Sequence, residues 1–211
     1  MSHLPLTGSR KLASAEEALA KFASDIHPSS TAATVRLDIT DATSIQNAHD
    51  VVAKTLKERN LPGLDVLVNN AAIAAGTPEA VYATNVIGTA RLKDAFLPLI
   101  PKGGSILNSS GLGSNTRFCQ RPAIMPPTYP YYSSSKAALN SLTVQWALDE
   151  EQKGSGIRVI LICPGLNAMN LNSYVEAGAS PADGCKVIVK EALTKDGKTS
   201  IFVHKGGEHL W

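Results

Sequence analysis

The sequence has no CxxC pair, no excess of charge of either sign, and no apolar run approaching the about 20 residues that a membrane span needs. Its three cysteines, Cys119, Cys163 and Cys185, are odd in number and widely spaced, which argues against a disulfide framework and against a zinc site, so no metal is expected. The net charge is +2, and the lysines and arginines are scattered without interleaved aromatics, which make up 5% of the chain. A nucleic-acid partner is therefore not expected. The first residues lack a basic segment followed by an apolar stretch, so the reading is a soluble, non-secreted, cytoplasmic protein that neither enters nor crosses a membrane. What the chain does have is 211 residues, 44% of them hydrophobic and 18% charged, enough for one globular domain with a sizeable core.

Strand and helix patterns alternate along the chain. Residues 4–7 suit a short strand, Gly8-Ser9-Arg10 a turn, and Ser14 with Glu17 a capping box that opens a helix to about Ile26. A strand follows over 34–39. Ile45, Ala48, Val52 and Leu56 then recur at helical spacing, with Thr40 or Asp41 as cap. Next come a mostly apolar strand at 64–69, a helix from about Pro78 to Leu99, and a strand at 105–109. Residues 111–131, which hold Pro122, Pro126, Pro127 and Pro130, read as a Pro-rich loop insertion with little regular structure. A helix from Tyr132 to about Glu151, a strand at 157–163, a helix at 182–194 and a strand at 200–204 complete the pattern. Apolar strands alternating with helices predict an α/β fold with a mostly parallel sheet covered by helices on both faces.

Tyr132 and Lys136 lie four residues apart, on one face of the predicted helix, so an ammonium can approach a phenol. Moving a phenol from about 10 towards 7 needs roughly 4 kcal/mol of preference for the phenolate, which a nearby cation could supply. Tyr129 and Tyr131 have serines at that spacing instead. The plain alternative is a Tyr and a Lys decorating the start of a helix. In a parallel α/β sheet the ligand crevice lies beyond the carboxyl ends of the strands. The residues found there are Asp38, Asn69-Asn70-Ala71-Ala72, Ser109-Ser110 and Pro164-Gly165.

This set, with Asn85 in the following helix and Tyr132 to Lys136, resembles the short-chain dehydrogenase/reductase family over nearly the whole chain. The resemblance implies a Rossmann-like, doubly wound fold and an oxidoreductase that uses a nicotinamide cofactor to reduce a carbonyl or oxidise the alcohol. It implies that Tyr132 donates the proton, that Lys136 biases the phenol and holds the nicotinamide ribose, and that Asn85 holds a water of the proton relay. Ser110 corresponds to the serine that meets the substrate carbonyl, with Ser109 as its competitor. Asn70 and Ala71 fall in the turn beside the cofactor, where Ala72 replaces the usual glycine. Asp38 and Ile39 match the pair that flanks the adenine. Pro164 and Gly165 match the turn over the nicotinamide, although Asn167 and Met169 replace the usual Val and Thr. Arg10 falls where relatives that prefer NADP place an arginine for the adenosine 2′-phosphate, so NADPH is expected over NADH. The plain alternative is a solvated turn residue. The separation of 22 positions from Ser110 to Tyr132, and the run from Ser200 to Trp211, look most like the carbonyl-reductase-like branch, acting as a monomer or homodimer.

The family's first strand, Gly-rich turn and first helix should precede the strand at 4–7, where no residues are available for them, and Thr7-Gly8 is not that turn, because Leu12 and Ser14 stand where glycines would be needed. The expectation is a single domain over 1–211, truncated at its N-terminus. Since the missing strand is central in the order 3-2-1-4-5-6, strands 34–39 and 64–69 should pair differently or leave open edges. Impaired stability and weak cofactor affinity follow. Three explanations are compatible: a truncated product, a non-catalytic binding or regulatory relative, and a rearranged active enzyme.

Overall fold

The computed structural model describes residues 3–120 and 129–211. Two compact units divide it, Met1–Pro62 and Gly63–Trp211.

In the first unit, strand β1 (Leu6–Ser9) pairs in parallel with β2 (Ala33–Arg36). The connecting helix α1 spans Leu12–Lys21, and a 3-10 turn covers Ala23–Asp25. The expected capping box at Ser14 is not formed. α1 starts earlier because Ser9 closes the preceding turn, its hydroxyl donating to Lys11 O at 3.0 Å and accepting from Lys11 N at 3.3 Å. β2 ends at Arg36, before the expected Ile39. Asp41 is the N-cap of α2 (Ala42–Glu58), accepting from Thr43 N, and Ile45, Ala48, Val52 and Leu56 are its buried residues, as the periodicity predicts.

The second unit holds a five-stranded sheet in the order β3-β4-β5-β6-β7. β3 (Val66–Asn69), β4 (Ser105–Ser109), β5 (Arg158–Cys163) and β6 (Phe202–His204) are parallel. β7 (Gly207–Glu208) returns antiparallel on β6, a hairpin the sequence pattern does not signal. Among the described residues, the predicted strands 34–39 and 64–69 belong to different sheets. Among the described residues, β1 pairs only with β2 and β3 only with β4, so each sheet has an open edge.

All six residues of β5 are buried, because helices cover both faces. Leu107, Ile160, Ile162 and Val203 pack with Val187 of α7 (Pro181–Leu193) on one side. On the opposite face Asn108, the neighbour of Leu107, reaches Thr143 of α6 (Pro130–Gln152). The predicted helix 78–99 forms with changing pitch: α3 (Pro78–Tyr82), a π-helical stretch Ala83–Gly88, α4 (Thr89–Phe96), and a 3-10 turn at Leu97–Leu99. Among the described residues of the expected loop 111–131, a short helix α5 (Asn115–Gln120) forms and Pro130 opens α6. Pro122, Pro126 and Pro127 lie outside the described residues. No helix among the described residues is long and apolar enough to cross a membrane.

Candidate active site

The first turns of α6 pack on the end of β4, and polar residues recur at every fourth position there: Tyr132, Lys136 and Asn140 form one stripe. Lys136 is 2% exposed, with its ammonium 2.7 Å from Ser109 O and 5.7 Å from the centroid of the Tyr132 ring. The spacing of Tyr132 and Lys136 thus does bring cation and ring together.

The electrostatics differ from the sequence expectation. Burial pushes the Tyr132 phenol up to about 12, with the Cys163 thiol adding to the rise, and burial brings the Lys136 ammonium down to about 8. Lys136 lies over the ring and donates to a backbone carbonyl, so it does not draw the phenol towards neutrality. The consequence is chemical: near pH 7 the phenol is protonated and the lysine is mostly charged. A weakly acidic phenol can protonate an alkoxide, a far stronger base, but is a poor base towards an alcohol. The protein atoms therefore suit the reductive direction.

These shifts also set a stability profile. The Lys136 charge is disfavoured in the fold, so its penalty of about 3 kcal/mol is fully present below about 8 and is relieved as pH rises towards 10.5. The neutral Tyr132 phenol is favoured in the fold, so its contribution holds below 10 and is lost as pH rises towards 12. Unfolding free energy is expected to rise between pH 8 and 10 and to turn over above 10. Urea titrations across that range check it, and Lys136→Met should abolish the rise.

Asn85 is fully buried within the π-helical stretch. Its Oδ1 accepts from Ile73 N (2.9 Å), and its Nδ2 donates to Ile73 O (2.9 Å) and to Ser135 Oγ (3.0 Å). Ser135 in turn donates to Tyr132 O at 2.7 Å. The side chain thus clamps the loop after β3 to the turn that carries Tyr132.

Ser110 is also fully buried, donating to Asn140 Oδ1 at 2.5 Å, while Asn140 Nδ2 donates to Gly113 O at 3.0 Å. A second buried chain lies beside it. Asn69 Nδ2 donates to Asn108 Oδ1 (2.8 Å), Asn108 Nδ2 to Thr143 Oγ1 (2.9 Å), and Thr143 to Leu139 O (2.7 Å). Thr143 has one proton, so the direction of the whole chain is fixed, and Asn69 Oδ1 is left without a partner among the described residues.

At the end of β5, Gly165 has φ +84°, a conformation that favours glycine. Asn167 Nδ2 donates to Pro164 O and Gly165 O, both at 3.2 Å, so the departure at 167 holds this turn by side-chain bonds. Asn70 and Ala71 are exposed after β3.

In the first unit, Arg10 is exposed just after β1. Asp38, just after β2, accepts from Thr40 N (2.9 Å) and Thr40 Oγ1 (2.7 Å). Those bonds, with a smaller share from the Arg10 charge, hold its carboxyl below the usual range. Ile39 is buried. Asn140, Ser135 and Asn108 were not singled out by their positions in the sequence, and Asn167 was noted only as a departure. The one available signal was the four-residue recurrence of polar side chains on α6.

The profile of the short chain dehydrogenase family matches residues 7–179. The chain belongs to that family. A short-chain dehydrogenase/reductase of Aspergillus fumigatus is 29% identical over 188 residues, covering 78% of this chain and 69% of its own. An uncharacterized oxidoreductase of Schizosaccharomyces pombe is 31% identical over 184 residues, covering 79% of this chain and 66% of its own. This short-chain dehydrogenase therefore spans about two thirds of the length of those relatives. The NADPH-bound carbonyl reductase from chicken fatty liver superposes with a TM-score of 0.79 at 26% identity, over 99% of this chain and 87% of that one. The fold is thus Rossmann-like, and the family is one of oxidoreductases.

Proposed function

We propose that this protein is an NADPH-dependent reductase of a small-molecule carbonyl, working in a cytoplasmic setting, with Tyr132, Lys136, Ser110 and Asn85 as its site. The observation that carries the reading is the buried Lys136 ammonium over the Tyr132 ring, in a member of a nicotinamide-using family. Reduced nicotinamide, when bound, supplies the hydride that a carbonyl carbon accepts.

The chemistry of the donor set fits such a cofactor. An ammonium has three N–H donors, and Ser109 O takes one, which leaves donors for ribose hydroxyls. The exposed Arg10 guanidinium offers the planar fork that suits a 2′-phosphate. Asp38, Ile39, Asn70, Ala71, Pro164 and Gly165 are the further contacts of this reading.

The chain's own steps are proton steps. Tyr132 delivers its phenolic proton to the alkoxide oxygen as that oxygen gains charge, and the Lys136 ammonium is the group that holds the cofactor's ribose beside it. Asn85 holds the Tyr132 turn in place through Ser135. Ser110 keeps the end of β4 beside that turn.

Fluorescence titration with NADPH and NADH tests the reading. Saturable binding, tighter for NADPH, is expected, and Arg10→Ala should weaken NADPH by about tenfold or more while leaving NADH unchanged, as befits loss of a charge-assisted bidentate contact. A folded protein that binds neither cofactor would overturn the proposal.

A further inference from the structure

The proton of Ser110 is already committed. Ser110 Oγ is 2.5 Å from Asn140 Oδ1 and 3.4 Å from Lys136 O. Both of these are acceptors, and a hydroxyl has one proton, so it goes to the shorter contact. Any other use of that proton would leave the buried Asn140 Oδ1 without this bond.

Asn140 uses its other end as well. Its Nδ2 donates to Gly113 O, so one amide grips both ends of the segment 110–113. Gly113 lies so close to α6 that a Cβ there would stand 2.6 Å from the Lys136 carbonyl carbon. Lys136 closes the same staple from the other side, its ammonium donating to Ser109 O. The backbone of Lys136 and the tip of its side chain are thus both held by the strand end that Asn140 secures.

We infer that Asn140 is a positioning residue of this site: through Ser110 and Gly113 it fixes the end of β4 against α6 and so keeps the Lys136 ammonium buried and in place. Ser110 is the pin of that staple. The inference rests on the reading of Lys136 as the site's ammonium.

The test reads Lys136 directly and needs neither cofactor nor turnover. Protein carrying [13Cε]lysine is titrated by NMR, with the Lys136 signal assigned by its loss in Lys136→Arg. In the parent protein the amine is expected to titrate near 8. In Asn140→Ala water reaches the ammonium, and its titration should move up by a unit or more towards the ordinary lysine value. Ser110→Ala should give a smaller shift in the same direction, and the double variant no more than Asn140→Ala alone. The neutral Asn140→Ser, too short to reach both Ser110 and Gly113, should also raise the value without adding a charge beside Lys136, and it covers the case in which Asn140→Ala fails to fold. A role confined to stability would lower the urea midpoint and leave Lys136 titrating as in the parent. That result, in folded Asn140→Ser and Ser110→Ala, would overturn the inference. Normal Lys136 shifts in a protein that does not bind NADPH would sink the proposed function and leave Asn140's role standing.

Discussion

Tyr132→Phe is expected to lower NADPH-dependent carbonyl reduction by about 10²–10⁴-fold, the usual contribution of a positioned general acid. Cofactor affinity should be unchanged. The substitution keeps the aromatic face over which the Lys136 ammonium sits, and removes only the hydroxyl. Because burial holds the phenol near 12, it stays protonated throughout the neutral range, so it does not itself set a pH limit on reduction there. The limit is expected from Lys136, which loses its charge as pH rises through about 8. Steady-state rates between pH 6 and 10 should therefore fall on the alkaline side near 8, and oxidation of the corresponding alcohol should be slow at neutral pH. Full activity of Tyr132→Phe would remove the phenol from the reaction.

Arg158→Met carries the largest expected effect on stability. Arg158 and Glu191 form a buried ion pair at 3.0 Å, and the guanidinium also donates to Thr194 O (2.6 Å), Glu191 O (3.3 Å) and Lys198 O (3.3 Å). It thus ties the start of β5 to the carbonyls that end α7, where a cation is favoured. Gly197 gives it room, since a Cβ there would come within 2.5 Å of Nη2. Methionine fills much of the volume but leaves the Glu191 carboxylate buried and unpaired, which typically costs about 3–5 kcal/mol. Adding Glu191→Leu should recover a large part of that loss. Urea unfolding of the two variants checks both statements, and a single variant as stable as the parent would show that solvent reaches Glu191.

Much of this fold is legible in the sequence, for physical reasons that differ by element. α2 is readable because Ile45, Ala48, Val52 and Leu56 are spaced for one face and Asp41 supplies a cap. β5 is readable because a strand covered on both faces is an unbroken apolar run. α5 is not, since a six-residue helix has no periodicity to read and is followed at once by prolines. Ser14 misled because a capping-box pattern cannot show that Ser9 has already closed the turn upstream.

The site divides in the same way. The approach of Lys136 to Tyr132 follows from helical spacing alone, and Asn140 lies one further turn along that stripe. That the phenol would be raised was not readable, because burial is a tertiary property, and spacing reports only the neighbouring charge. Nor was the direction of the Ser110 proton, which depends on Asn140, 30 positions away.

The central claim is a hydride and a proton delivered to one carbonyl, the proton by Tyr132. Incubating the protein with [4-2H]NADPH and a panel of aldehydes and ketones, and reading the products by mass spectrometry, tests it most directly. The account predicts an alcohol carrying deuterium on the former carbonyl carbon with the parent protein, and only a trace of it with Tyr132→Phe. Saturable NADPH binding without deuterium transfer to any carbonyl of the panel, or transfer by Tyr132→Phe at the parent rate, would contradict it.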